Sequence, residues 1–152
     1  MLTAHDLMTE DPKTISMSAT LQRAIGLLQT LDVRHLPVVD DEGALVGMLS
    51  DRDVRGLAFP EVLGAQYIGK IQTALEAPVS SVMSSDVISV DVEADAAEII
   101  DLMLDQKIGA VPVLDSDGSL VGIVSYMDLL RKIPLESESD EAVTDGAGWA
   151  SR

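Results

Sequence analysis

Residues 34–54 read RHLPVVDDEGALVGMLSDRDV, and residues 109–129 read GAVPVLDSDGSLVGIVSYMDL. The second stretch repeats the first with its charges removed: Arg34, His35, Asp51 and Arg52 become Gly109, Ala110, Tyr126 and Met127. The same ungapped offset pairs Met8 with Met83, Asp11 with Asp86, Ala19 with Ala94 and Leu27 with Leu102. Across 36–54, nine of nineteen positions are identical, Pro37, Gly43, Gly47, Ser50 and Asp53 among them. Coincidence does not produce that density without a gap, and an internal repeat decides the fold before any single element does.

Each copy carries one pattern of elements. KTISM (13–17) and ISVDV (88–92) are branched or alternating and predict strands. Leu21, Ala24, Ile25, Leu28 and Leu31 fall at helical spacing, as do Ala96, Ile99, Ile100 and Met103. LPVVD and VPVLD are short apolar runs, predicting buried strands. DDEG and DSDG are turn chemistry, with a glycine free to take positive φ, and ALVGML and SLVGIV are the return strands. Short helices near 51–58 and 126–132 follow, with Ser50, Asp51 and Ser125 as candidate caps. The fold class is therefore α/β (α+β), a β-α-β-β-α unit used twice. One such unit of about 60 residues is marginal alone, and two packed about a pseudo-twofold axis would share a buried face. The expected division is repeat 1 over 1–60, a helical connector over 61–77, repeat 2 over 78–134 and an acidic, mobile tail over 135–152. Trp149 in that tail reads as a loose anchor.

Composition bounds the function. Of 152 residues, 47% are hydrophobic, so a packed core is expected. Cysteine is absent, which excludes disulfides and thiolate metal sites. MLTAHDLMTEDPK has no basic start followed by an apolar run, and no stretch approaches a bilayer span, so a cytoplasmic protein is expected. The net charge of −16 argues against nucleic acid. Residues 1–75 hold ten acids and six bases, and residues 76–152 sixteen acids and four bases. A solvated acidic surface is the plain reading, and four lysines also fit adaptation to high salt.

On HLPVVD and AVPVLD, on GMLSDRD and GIVSYMD, and on Met8 and Met83, the repeat resembles the CBS domain, named after cystathionine β-synthase. The resemblance covers about residues 4–133, and two copies in tandem look like a Bateman module. It implies a stand-alone regulatory module that binds an adenosine-containing ligand (AMP, ADP or ATP, with S-adenosylmethionine as a further candidate) between the repeats. It also implies pairing into a homodimer and an unnamed regulated protein.

The residues themselves support a ligand site. Ser50 and Asp53 stand where a strand enters a helix, and an ionised carboxylate there offers two acceptor oxygens to a ribose diol. Arg34 and His35 precede the buried strand and Arg52 opens the helix, so three cationic groups sit near one anion-friendly helix start. By resemblance, Asp53 is the ribose carboxylate and Ser50 its partner hydroxyl. Arg34 and His35 reach phosphates, and Thr14 and Ile15 contact the base, with Leu36 and Pro37 completing the cleft. A weaker second cleft would hold Ser89, Ala110, Pro112, Ser125 and Asp128, where Gly109, Ala110, Tyr126 and Met127 bring no positive charge. Arg131 could still reach into it. Singly, each of these residues has a plainer role: a helix cap, a surface helix residue, a solvated strand end. The methionines Met8, Met17, Met48, Met83 and Met103 read as core filling.

No phosphate-binding G-x-x-x-x-G-K-[ST] loop, G-x-G-x-x-G or H-E-x-x-H occurs, and two histidines give a triad or zinc site little to work with. Asp40, Asp41, Glu42, Asp115 and Asp117 lie in turns, and no metal site is expected there. A non-enzyme is expected. The competing reading is an interaction or structural module with vestigial clefts, distinguished by nucleotides failing to raise its melting temperature.

Overall fold

The computed structural model describes residues 1–55 and 65–134. In chain order the elements are α1 (Ala4–Leu7), β1 (Thr9–Glu10), β2 (Ile15–Ser16), α2 (Leu21–Leu31), β3 (His35–Val39), β4 (Leu45–Ser50) and α3 (Asp51–Arg55). After α4 (Ala65–Glu76) and a single 3-10 turn at Val79–Ser81 come β5 (Val90–Asp91), α5 (Ala96–Gln106), β6 (Ala110–Leu114), β7 (Leu120–Ser125) and α6 (Tyr126–Lys132). The α+β pattern of strand, helix, strand, strand, helix appears twice, as the repeat requires. The tail from 135 onward, Trp149 and the connector's first residues lie outside the described residues.

Local chemistry fixes the ends of the long helices. Thr20 caps α2 by accepting from the Arg23 amide at 3.2 Å. Asp95 and Glu98 form a reciprocal capping box on α5, at 2.9 and 3.1 Å. Both helices end on a left-handed residue, Asp32 and Lys107. The hairpin turns are matched as well. Asp40 Oδ1 accepts from the amides of Glu42 and Ala44, and Asp115 Oδ1 from those of Asp117 and Ser119, all at 2.9 Å. Gly43 and Gly118 take φ of 84° and 81° there, which side chains resist. These carboxylates are occupied as turn acceptors.

The first strand of each repeat is shorter than the sequence suggests. Only Ile15–Ser16 and Val90–Asp91 pair, each parallel to the middle strand, opposite Val38–Val39 and Val113–Leu114. The chain then has to turn at once toward the helix cap. In both units the middle and return strands pair antiparallel, His35 opposite Ser50 and Ala110 opposite Ser125, with a bulge at the same place.

The sequence repeat and the packing unit differ at their beginnings. β1 pairs antiparallel with β7, so the second sheet runs β1-β7-β6-β5 while the first holds β2-β3-β4. Ala4, Leu7 and Met8 are buried with Ile99, Met103, Val111, Val113 and Val124 of the second half. In return, Val79, Val82 and Met83 pack with Ile15, Leu21, Leu36 and Leu49 of the first. Lys132 of α6 seals the exchange by donating to the carbonyls of Leu7 and Met8, at 2.9 and 3.1 Å. Each half thus lends its opening segment to the other's core.

The exchange explains one glycine pair. A Cβ on Gly47 would lie 3.0 Å from the Ser84 carbonyl oxygen and against the Met83 sulfur. One on Gly122 would lie 2.9 Å from Met8 Cβ and against its sulfur. These glycines are the floor on which the lent methionine rests. Gly122→Ala is therefore expected to destabilise by about 1–3 kcal/mol. Urea denaturation would measure it, and Gly26→Ala, with open space at its Cβ, is the control expected to lose nothing.

Candidate functional site

Two equivalent corners form where β4 runs into α3 and β7 into α6. At the first, the Ser50 amide donates to Asp53 Oδ2 at 2.8 Å and the Asp53 amide donates to Ser50 Oγ at 3.0 Å. At the second, the Ser125 amide and hydroxyl donate to Asp128 Oδ2 at 2.9 and 3.1 Å, and the Asp128 amide donates back to Ser125 Oγ at 3.3 Å. The caps anticipated at Ser50 and Ser125 are present, and each holds its aspartate in a fixed orientation. Asp128 is 7% exposed, and its Oδ1 accepts from the Thr9 hydroxyl at 3.2 Å. That oxygen keeps further acceptor capacity.

Beside each corner lies the start of the middle strand. The Asp51 amide donates to the Arg34 carbonyl at 2.8 Å, and the Tyr126 amide to the Gly109 carbonyl at 3.1 Å. The side chains at these starts cross the seam between the halves. Arg34 Nη1 donates to the Tyr126 hydroxyl oxygen at 2.9 Å. His35 lies over Gly109, where a Cβ would fall 3.1 Å from its Nε2 and 3.5 Å from Tyr126 Cδ1. The second repeat lacks charges at 109 and 126 because those positions receive the charged side chains of the first.

A cavity of about 480 Å³ opens at this seam, within the usual size of small-molecule sites. It is lined by residues 9–13 without Glu10, by the segment 31–36, and by Ile123, Ser125–Asp128 and Arg131. Arg34, His35 and Leu36, placed by the sequence beside Asp53, line it together with Ser125 and Asp128, which the sequence placed in a weaker second cleft. Arg131 reaches it too. Thr14, Ile15, Pro37, Ser50, Arg52, Asp53, Ser89, Ala110 and Pro112 do not line it. Ile15, Pro37, Ala110 and Pro112 are buried, and Thr14, Arg52 and Ser89 are exposed elsewhere. Sequence reading missed Thr9, Lys13 and Tyr126. Lys13 had a signal, a base in a base-poor chain, whereas Thr9 meets Asp128 across 119 residues and had none.

Lys13, Arg34 and Arg131 face Asp11, Asp32 and Asp128 around this cavity. His35 feels the charges of its own repeat. Burial lowers its pKa below 6.5, Asp53 and Asp51 oppose that and Arg34 reinforces it. A folded pKa below the unfolded one leaves full stability above about pH 6.5 and removes it as pH falls, because the unfolded chain takes up a proton that the folded chain refuses. Wild type is thus expected to lose midpoint stability between about pH 7.5 and 5.5, and His35→Gln to lose less. Equal losses in denaturant titrations would assign the slope to carboxylates instead.

A paired α+β repeat with a charged cleft at its seam defines a class of ligand-binding architecture rather than one protein. The CBS domain profile matches residues 4–58 and 79–135, and the chain belongs to the CBS domain family. It is 33% identical over 145 residues to the CBS domain-containing protein YhcV of Bacillus subtilis, covering 95% of both chains. A crystal structure assigned to AcuB of Vibrio cholerae superposes with a TM-score of 0.69 at 36% identity, over 86% of this chain and 89% of that one. CBSX2 of Arabidopsis thaliana, solved in complex with AMP, gives 0.71 at 28% identity, over 86% and 95%. Longer relatives are spanned in part, such as 23% of the inosine-5'-monophosphate dehydrogenase of Methanocaldococcus jannaschii. Among the described residues, no helix is long and apolar enough to cross a membrane.

Proposed function

We propose that the chain is a regulatory sensor that binds a phosphorylated adenosine ligand (AMP, ADP or ATP) in the seam cavity. The carrying observation is the convergence of Arg34, His35, Lys13 and Arg131 on the corner that holds Asp128. Asp128 would accept the ribose hydroxyls through its carboxylate oxygens. The cationic groups would meet the phosphate, and Ile123 offers apolar surface to the base. A phosphate beside His35 would favour its protonated form, against the burial that lowers its pKa.

This moves the ribose role from Asp53 to Asp128 for the phosphorylated ligand. The AMP complex of CBSX2 supports the ligand class. Regulation follows if the ligand favours one arrangement of the two halves over another, with a partner protein reading the shift.

The test is thermal unfolding with AMP, ADP, ATP, adenosine and S-adenosylmethionine. A ligand at 100 times its dissociation constant stabilises the native state by about 2.7 kcal/mol, a shift of several degrees in a chain of this size. A shift with a phosphorylated nucleotide, larger than with adenosine, is expected. No shift with any of them would favour an interaction module whose cleft is vestigial.

A further inference from the structure

We infer that Tyr126 is the positioning residue that sets the charge preference of the seam cavity, by holding the Arg34 guanidinium without neutralising it. The inference rests on the nucleotide reading above. Arg34 comes from the first repeat and is exposed, so without a fixed partner its long side chain would sample many rotamers. The Tyr126 hydroxyl supplies that partner at 2.9 Å, and both residues line the cavity with Asp128. The guanidinium is thereby held at the mouth of the site before any ligand arrives.

The choice of residue matters because the repeat shows the alternative. The position equivalent to 126 in the first half is Asp51, which ion-pairs with Arg55 at 3.0 Å. An aspartate at 126 would end well short of the phenol oxygen, so it would lose the hydrogen bond that fixes Arg34 and add a negative charge to the cavity wall. A phenol oxygen accepts one hydrogen bond and brings no countercharge. Among the described residues, no carboxylate forms an ion pair with Arg34. The second repeat thus carries a neutral phenol where its counterpart carries an acid, at the residue that holds the first repeat's arginine.

A wall residue and a positioning residue predict different ligand dependence. A wall residue contacts AMP and adenosine alike. A residue that orients Arg34 affects only the ligand that carries a phosphate, and only while Arg34 is present.

Isothermal titration of AMP and adenosine into the full chain separates the two roles, using Tyr126→Phe, Tyr126→Asp and Arg34→Gln. Tyr126→Phe removes one hydroxyl from a partly exposed ring, and an unchanged unfolding midpoint would verify its fold. It is expected to weaken AMP about three- to tenfold, the loss of one oriented hydrogen bond to a charged group, and to leave adenosine unchanged. Tyr126→Asp is expected to weaken AMP further and to flatten the salt dependence of its binding. In the Arg34→Gln background, Tyr126→Phe is expected to change nothing, since the pair acts as a unit. Equal losses for AMP and adenosine, or full AMP affinity in both Tyr126 variants, would overturn the positioning role while leaving the nucleotide reading intact. Failure of the wild type to bind either ligand would overturn both.

Discussion

Leu7→Ala is expected to destabilise the protein by about 2–5 kcal/mol, and to do so through the repeat to which Leu7 does not belong in sequence. Leu7 is fully buried, in α1, among Ile99, Val111, Val113 and Val124. Truncation removes a buried isobutyl group from a core whose walls are strands and cannot collapse onto the gap. The reciprocal change is Val79→Ala, which should injure the first half although residue 79 opens the second repeat. Urea denaturation gives the size of each loss, and native-state hydrogen exchange its location. Leu7→Ala should expose β6 and β7 first, and Val79→Ala should expose β3 and β4. Loss of protection within the mutated residue's own repeat would show that the lent segments are decorations rather than core.

Asp128→Asn is expected to weaken a phosphorylated adenosine ligand by about 10- to 100-fold and to remove most of its thermal shift, while Asp53→Asn keeps it. The ionised carboxylate can accept both ribose hydroxyls, whereas an amide offers one acceptor oxygen and turns a donor toward the second hydroxyl. Asp128→Asn also costs stability without ligand, because Thr9 and Ser125 both donate to the carboxylate. Each variant must therefore be compared with its own ligand-free midpoint. A shift that survives Asp128→Asn and disappears in Asp53→Asn would return the site to the corner that the sequence alone suggested.

Why the sequence pointed to Asp53 is instructive. Helices, hairpins and caps depend on neighbours within a few residues, and the repeat doubled every such signal. Asp40, Ser50 and Ser125 act locally, and their roles were readable. The seam cavity depends on which half faces which. Arg34 meets Tyr126 across 92 residues, and nothing local to either announces the contact. Grouping Arg34 with Asp53 took the cleft between the repeats to be lined mainly by the first of them. The proposed seam site draws on the strand start of one repeat and the corner of the other. The two-residue strands β2 and β5 were overextended for a related reason: β-branched composition marks a tendency, and the ladder ends where the chain must turn.

The crossing of His35 over Gly109 also bears on how such a chain comes to have unequal halves. At the seam a residue meets positions of the other copy that correspond to its own neighbourhood: His35 lies over Gly109, and Arg34 meets Tyr126. Were residue 109 also Arg, a second cationic side chain would start where His35 now lies over a glycine. Like charges about 4 Å apart repel by about 4 kcal/mol near a protein surface. A doubled module therefore keeps a cationic group at its axis only by writing it once. Divergence at 34 and its copy 109 is then the consequence expected of duplication: identical copies suffice for the scaffold, while a cation at the seam is favoured in one copy only.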